Sequence, residues 1–235
     1  MKIIINKLIK KYNGLKALNN FSCTLEGGKI YGLVGSNGAG KTTLLKIIST
    51  LLSAEEGNIE YLDIKKDNVN YIPEHPDLFF MLTVREHYKF ISLAHGIKGW
   101  EEKTSDLLKR FSLIDKIDAF PHELSKGMKQ KLILSLSLLV RPRVILFDEP
   151  FAGLDPQSVN ELRILIEELR DKNRIIVISS HNLNSIYQLS DQVIFIKDGK
   201  RLRTQSKEDI ISEMKSKDYI ALEDLFLEVM AHENN

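Results

Sequence analysis

Residues 35–43 read Gly-Ser-Asn-Gly-Ala-Gly-Lys-Thr-Thr, the G-x-x-x-x-G-K-[ST] spacing of a phosphate-binding loop. No other stretch restricts the possible folds so much, because the loop works only between a buried strand and the start of a helix. Both are in place: Ile30 to Val34 is apolar throughout, and a helical run extends from Lys41 to about Leu51. Gly35, Gly38 and Gly40 let the backbone bend until its N–H groups point inward, with Ser36, Asn37, Ala39 and Thr43 completing the cradle. The helix adds its positive N-terminal end. Lys41 is expected to reach the β- and γ-phosphates, and the Thr42 hydroxyl to hold Mg²⁺. The motif implies a nucleotide without saying which.

Three more apolar runs, Val144 to Phe147, Ile175 to Ile178 and Val193 to Ile196, do not alternate with polar residues. That is the pattern of strands buried on both faces of a parallel sheet covered by helices. Between them Val159, Leu162, Ile166 and Leu169 recur at helical spacing after Asp155-Pro156, an N-cap and first turn. The chain is therefore expected to be α/β: a phosphate-loop core with a mostly parallel sheet, an N-terminal antiparallel β layer and an inserted α-helical subdomain. The expected bounds are 1–82 and 140–200 for the core with its β layer, 83–139 for the helical subdomain, broken near Pro121, and 201–235 for a strand and one or two terminal helices. Gly27-Gly28 reads as a turn. A trimmed strand or hairpin is expected between Gly57 and Tyr71.

Val144 to Pro150 closes with two acids, Asp148 and Glu149. Asp148, at the carboxyl end of a strand where open α/β sheets bind ligands, is expected to help hold Mg²⁺. Glu149, one residue on and pointing elsewhere, suits a general base or an orienter for an attacking water. Read alone, the pair could also be a solvated turn.

Composition sets the surroundings. With 33 basic and 32 acidic residues there is no basic excess to draw in nucleic acid, so no nucleic-acid partner is expected. The single cysteine, Cys23, allows no intramolecular disulfide and fits a reducing compartment. No apolar run approaches the roughly 20 residues that cross a bilayer, and the N-terminal patch is too short for a signal peptide. A cytoplasmic chain that reaches a membrane only through a partner is the expectation.

With these motifs in order, the sequence resembles the ATP-binding-cassette ATPases over nearly its whole length. Leu124-Ser-Lys-Gly-Met-Lys-Gln130 looks like that family's signature, which other phosphate-loop enzymes lack. The resemblance implies ATP and Mg²⁺ as ligands and a second cassette as partner, a homodimer being the expectation. Ser125 and Gly127 of one copy would meet the γ-phosphate of ATP held by the other. It also implies that Asp155, in Gly153-Leu-Asp-Pro156, crosses the dimer interface, although a plain helix N-cap would look the same. His181, in Ser179-Ser180-His181, is similar to the switch histidine at the γ-phosphate, and Tyr12 to the aromatic that stacks on adenine. Glu74, in Tyr71-Ile-Pro-Glu-His-Pro76, stands where the family usually has a glutamine and would contact Mg²⁺ or its water. Lys126 stands where the signature usually has glycine.

Integral membrane permease subunits are the further implied partners, with the chain peripheral on the inner face of the cell membrane. His75 to Leu82 is dense in apolar residues for a loop. It is read either as a surface that receives a partner's helix or as a loop packed on its own domain. Leu222 to Val229 resembles the tail of export-type cassettes whose membrane subunits are separate chains. A soluble cassette acting on nucleic acid or ribosomes is the alternative, and a small-molecule kinase or GTPase a third; the signature at 124–130 speaks against the latter.

Overall fold

Strands that alternate in polarity and strands that do not end up in different sheets. The computed structural model describes residues 1–75, 77–181, 183–219 and 221–231. Two compact units emerge: Met1–Tyr71, Arg143–Pro150 and Arg170–Asn235 form one, Ile72–Pro142 and Phe151–Leu169 the other.

In the first unit, β1 (Lys2–Tyr12) and β2 (Leu15–Glu26) make an antiparallel hairpin. Its turn is Asn13-Gly14, both at positive φ (49° and 84°), the backbone that two-residue hairpin turns favour. Gly27-Gly28 turns the chain from β2 into β3 (Ile30–Val34), which runs into the phosphate loop and α1 (Lys41–Ile48). This helix stops before Leu51: Thr50 takes φ 63°, and its N–H bonds back to Ile47 O at 3.1 Å. The stretch from Gly57 to Tyr71 is one strand of each sheet. β4 (Glu56–Leu62) pairs antiparallel with β1, and a 3-10 turn leads to β5 (Val69–Ile72).

The larger sheet has the order β5-β6-β7-β3-β8-β9, with β6 (Val144–Asp148), β7 (Ile175–Ser180), β8 (Gln192–Lys197) and β9 (Lys200–Ser206). β3, β6, β7 and β8 are mutually parallel; β9 runs antiparallel to β8. Every residue of β3, β6 and β7 is buried, which is why none could be polar on one face. Leu18, Phe21, Leu25, Tyr31, Leu45 and Ile196 belong to one apolar core. The Tyr31 hydroxyl accepts from the Glu26 N–H at 2.8 Å, and burial pushes its pKa up to about 12.

The second unit is helical. α2 (Val84–Ala94) starts on a capping box in which Thr83 accepts from the Glu86 N–H and Glu86 from the Thr83 N–H. α3 (Trp100–Arg110) follows, then a 3-10 turn opened by Pro121, then α4 (Lys126–Leu139). Inside it, the buried Tyr88 hydroxyl donates to Ser135 Oγ at 2.6 Å. α5 (Pro156–Glu167) is capped by Asp155 and belongs with these helices, so residues 151–169 leave the 140–200 stretch that the sequence assigned to the core. An ion pair between Lys131 and Glu161 accounts for part of that grouping. The chain ends in the first unit with α6 (Leu183–Tyr187), which precedes β8, then α7 (Lys207–Ser216) and α8 (Leu222–Ala231) after β9.

Candidate nucleotide site

At the carboxyl ends of β3 and β6 two turns face the same space. Gly35 to Gly40 wraps back on itself, and Gly40 opens α1 at φ 105°, a conformation costly for any residue with a side chain. A Cβ there would lie 2.3 Å from Ala17 O. Lys41 is buried, and its ammonium donates to Gly35 O at 2.8 Å and Ser36 O at 3.1 Å. Thr42, in the first turn of α1, is exposed.

The acidic pair divides as its spacing requires. Asp148 stays in the strand, 4% exposed, accepting from Tyr71 OH at 2.9 Å and from Ser179 Oγ at 2.6 Å. Each carboxylate oxygen keeps a further lone pair, so the group suits a hard cation that takes oxygen ligands. Glu149 leaves the strand at φ 46°, a region non-glycine residues seldom adopt and one frequent at functional sites. Its N–H is held by Ser179 O at 3.2 Å and Ser179 Oγ at 3.1 Å. The side chain is nearly buried, with Oε1 at 3.4 Å from Lys41 Nζ and Oε2 at 3.0 Å from His181 Nδ1. The Lys41 contact is an ion pair without hydrogen-bond geometry, and Oε1 has no hydrogen-bond partner among the described residues. The His181 contact puts the ring proton on Nδ1, leaving Nε2 on a ring that is more than half exposed.

Lys41, Asp148, Glu149 and His181 are thus brought together within the first unit. Ser179 and Tyr71, which hold the two acids, were quoted in sequence motifs but given no part there; a hydroxyl beside a strand-end acid was the available signal. Tyr12 closes β1 about half exposed, with Lys10 Nζ at 5.7 Å from its ring centre.

The remaining candidates lie in the second unit. Ser125 is the N-cap of α4 and accepts from the Met128 N–H at 3.2 Å, so its O–H proton stays available to an acceptor. Gly127 is buried where a Cβ would fall 2.8 Å from Ser158 Oγ; a larger residue would crowd α5. Asp155 accepts from Ser158 Oγ at 2.6 Å and Ser158 N–H at 3.0 Å, and those bonds hold its carboxyl below the ordinary range. Lys126 is half-buried and lays its ammonium over Gly153, 2.6 Å from where a Cβ would be. Glu74 is part-exposed, and its backbone oxygen accepts from Gln130 Nε2 at 2.9 Å. In the apolar loop beyond it, Phe79 packs edge-on against Phe90 at 5.0 Å, while Phe80 and Met81 stand 75% and 71% exposed. The loop is thus packed on its own domain through Phe79 and exposed at Phe80 and Met81. Pro76 lies outside the described residues.

A phosphate loop between a buried strand and a helix, with two acids ending the neighbouring parallel strand, defines a phosphate-loop nucleoside-triphosphatase. The ABC transporter family model matches residues 18–152. The chain is 33% identical over 236 residues to the ABC-type transporter ATP-binding protein EcsA of Bacillus subtilis, covering 96% of this chain and 95% of that one. It is 36% identical over 204 residues to the lantibiotic transport ATP-binding protein SrtF of Streptococcus pyogenes, covering 83% and 87%. A solved structure of an ATP-binding subunit of an ABC transporter superposes with a TM-score of 0.86 at 28% identity, covering 97% of this chain and 99% of that one. A dimeric cassette in a post-hydrolysis state with ADP and Pi shares the fold, at a TM-score of 0.77 and 22% identity, over 87% of this chain and 98% of that one. The chain belongs to the ABC transporter family and carries that family's ATPase domain. Among the described residues no helix is long and apolar enough to cross a membrane.

Proposed function

We propose that the protein is the ATP-binding and ATP-hydrolysing subunit of an ABC transporter, working as a homodimer against integral membrane permease subunits at the inner face of the cell membrane. The observation that carries this reading is the position of Glu149, between Lys41 and His181 and fixed by Ser179. Lys41 exchanges the carbonyls of Gly35 and Ser36 for the β- and γ-phosphates of ATP, while the backbone from Gly35 to Thr43 surrounds them. Thr42 and Asp148 offer the oxygen ligands for Mg²⁺, and the resemblance assigns Glu74 a contact with the metal or its water. Among the described residues no cluster of three or more acids, histidines or cysteines forms a metal cage, and Mg²⁺ ordinarily takes one or two carboxylates plus substrate phosphates. When bound, the ion neutralises charge on the phosphates.

Glu149 accepts a proton from the attacking water as its oxygen bonds to the γ-phosphorus and the bond to the ADP oxygen breaks. His181 orients Glu149 through Nδ1 and, where Nε2 carries a proton as well, donates from it to the γ-phosphate. Ser125 and Gly127 of the second copy cap that phosphate, Asp155 lies at the interface, and Tyr12 stacks on adenine. The exposed Phe80 and Met81 suit a permease helix. Resemblance of the 222–229 tail to export-type cassettes favours export. Glu149→Gln keeps the shape and removes the base; kcat should fall at least about 10²-fold with ATP binding retained, and ATP should hold the variant as a dimer on gel filtration. Turnover at the wild-type rate would exclude Glu149 as the base.

A further inference from the structure

On the first unit, away from Lys41 and Glu149, a pocket of about 300 Å³ is lined by Asn19, Asn20, Ser22, Lys200 and Arg201. Its lining sets hydrogen-bond donors beside two cations. The Ser22 oxygen accepts from the Lys7 N–H at 2.8 Å, and Asn19 Oδ1 accepts from Lys16 Nζ at 3.1 Å. The Ser22 O–H and the Asn19 amide protons remain to donate. Lys200 and Arg201 are held in the β8–β9 ladder by their backbones, but neither side chain makes a hydrogen bond or ion pair among the described residues, and no carboxylate lines the pocket. In a chain of formal charge +1, a concave site with donors, two cations and a third, Lys16, beside it is matched to an oxyanion.

The pocket is joined to the phosphate loop through backbone. The Asn19 N–H donates to Gly199 O at 2.9 Å, and the Gly199 N–H donates to Ala39 O at 3.0 Å. Gly199, at φ 73°, is pressed so closely to β2 that a Cβ would fall 2.7 Å from both Ala17 O and Leu18 Cα. Lys200 and Arg201 follow it directly. A ligand that bridges Asn19 and Asn20 to Lys200 and Arg201 therefore fixes the Gly199 turn that bonds to Ala39 and the strand segment that bonds to Gly199.

We infer that this pocket binds a phosphate monoester or phosphate diester group and that its occupancy changes the affinity of the phosphate loop for ATP. Glycerol 3-phosphate, with one phosphate on a small polyol, is the soluble probe; phosphatidylglycerol vesicles in a phosphatidylcholine background test a lipid headgroup as the source. The protein is kept saturated with MgADP, so that the phosphate loop is occupied. Calorimetry should detect glycerol 3-phosphate binding that weakens about tenfold or more for each cation removed in Lys200→Ala and Arg201→Ala. Both residues are exposed, so the variants should melt like wild type. A second titration should show the ATP affinity of the wild type moving about twofold or more with the probe present, and that of the double variant not moving. Vesicle binding with the same dependence, without any response to glycerol 3-phosphate, assigns the phosphate to a lipid. Equal binding by wild type and double variant, no binding of either probe, or an ATP affinity indifferent to the bound probe overturns the inference. The ATPase reading does not depend on the outcome.

Discussion

Ser179→Ala tests whether one buried hydroxyl sets the geometry of both acids. Ser179 is fully buried; its Oγ donates to Asp148 Oδ1 at 2.6 Å and accepts from the Glu149 N–H at 3.1 Å. Alanine deletes both bonds and leaves a cavity the size of one oxygen. A hydrogen bond to a charged group contributes about 1.5–3 kcal/mol. Two partners survive, Tyr71 OH on Asp148 Oδ2 and Ser179 O on the Glu149 N–H, so the loss should lie near the lower end, about 1.5–2 kcal/mol. In a chain of this size that lowers Tm by about 3–8 °C. The effect on rate should be larger in proportion. Glu149 sits at φ 46°, and a small displacement of a catalytic group can cost about 10²-fold. A fall in kcat of about tenfold or more, with KM for ATP little changed, is the expected split. Scanning calorimetry and steady-state phosphate release measure the two. Wild-type Tm together with wild-type kcat would refute the reasoning, because Ser179 would then position nothing.

Gly32→Ala places a methyl 2.0 Å from Ile186 Cγ2 and 2.8 Å from Ser190 Oγ; overpacking of this kind costs about 1–3 kcal/mol, and urea denaturation should show it, an unchanged midpoint contradicting it. His87 donates from Nδ1 to Thr83 O at 2.8 Å and accepts the Phe79 N–H at Nε2 at 3.0 Å, which demands the neutral ring, and burial lowers its pKa against the pull of Thr83 and Glu86. The unfolded chain therefore takes up the proton first. Stability is complete above about pH 6.5, declines as pH falls below it, and stops declining once the folded-state pKa is passed. Tm measured from pH 7.5 to 5.5 should fall more steeply for wild type than for His87→Gln, and parallel slopes would contradict the assignment. Lys41→Ala should weaken ATP binding about tenfold or more, read by fluorescence titration; unchanged affinity contradicts its place at the phosphates.

The parallel strands were legible because burial on both faces disfavours polar residues at every position, not at alternate ones, except at strand ends such as Asp148 and Ser179 where each is hydrogen-bonded, so the apolar runs of β3, β6, β7 and β8 could be marked. The phosphate loop was legible because glycine spacing reports backbone geometry directly. What escaped were features set by tertiary neighbours. Helix α1 ends where Thr50 turns left-handed, although apolar residues continue to Leu51 and Leu52. The grouping of α5 with the helices depends on α4 packing and the Lys131–Glu161 pair, which no local pattern announces. Ser179 and Tyr71 are distant in sequence from the acids they hold, by 31 and 77 positions from Asp148. Gly127 shows the converse. The motif marks it for a phosphate, while its own surroundings also require a glycine for the approach of Ser158.

The account's central claim is that one copy brings its Ser125–Gly127 turn to the ATP held by another. Cysteine pairing tests it directly, because the native Cys23 is buried and its thiol pKa is pushed up to about 12, which keeps it unreactive. One population of Glu149→Gln protein carries Asn37→Cys, at an exposed position, and a second carries Lys126→Cys, at a half-buried one. Mixed with MgATP and a mild oxidant, they should give a covalent heterodimer on a non-reducing gel, absent without ATP and absent from either population alone. Only monomer bands in the ATP-loaded mixture would contradict the claim.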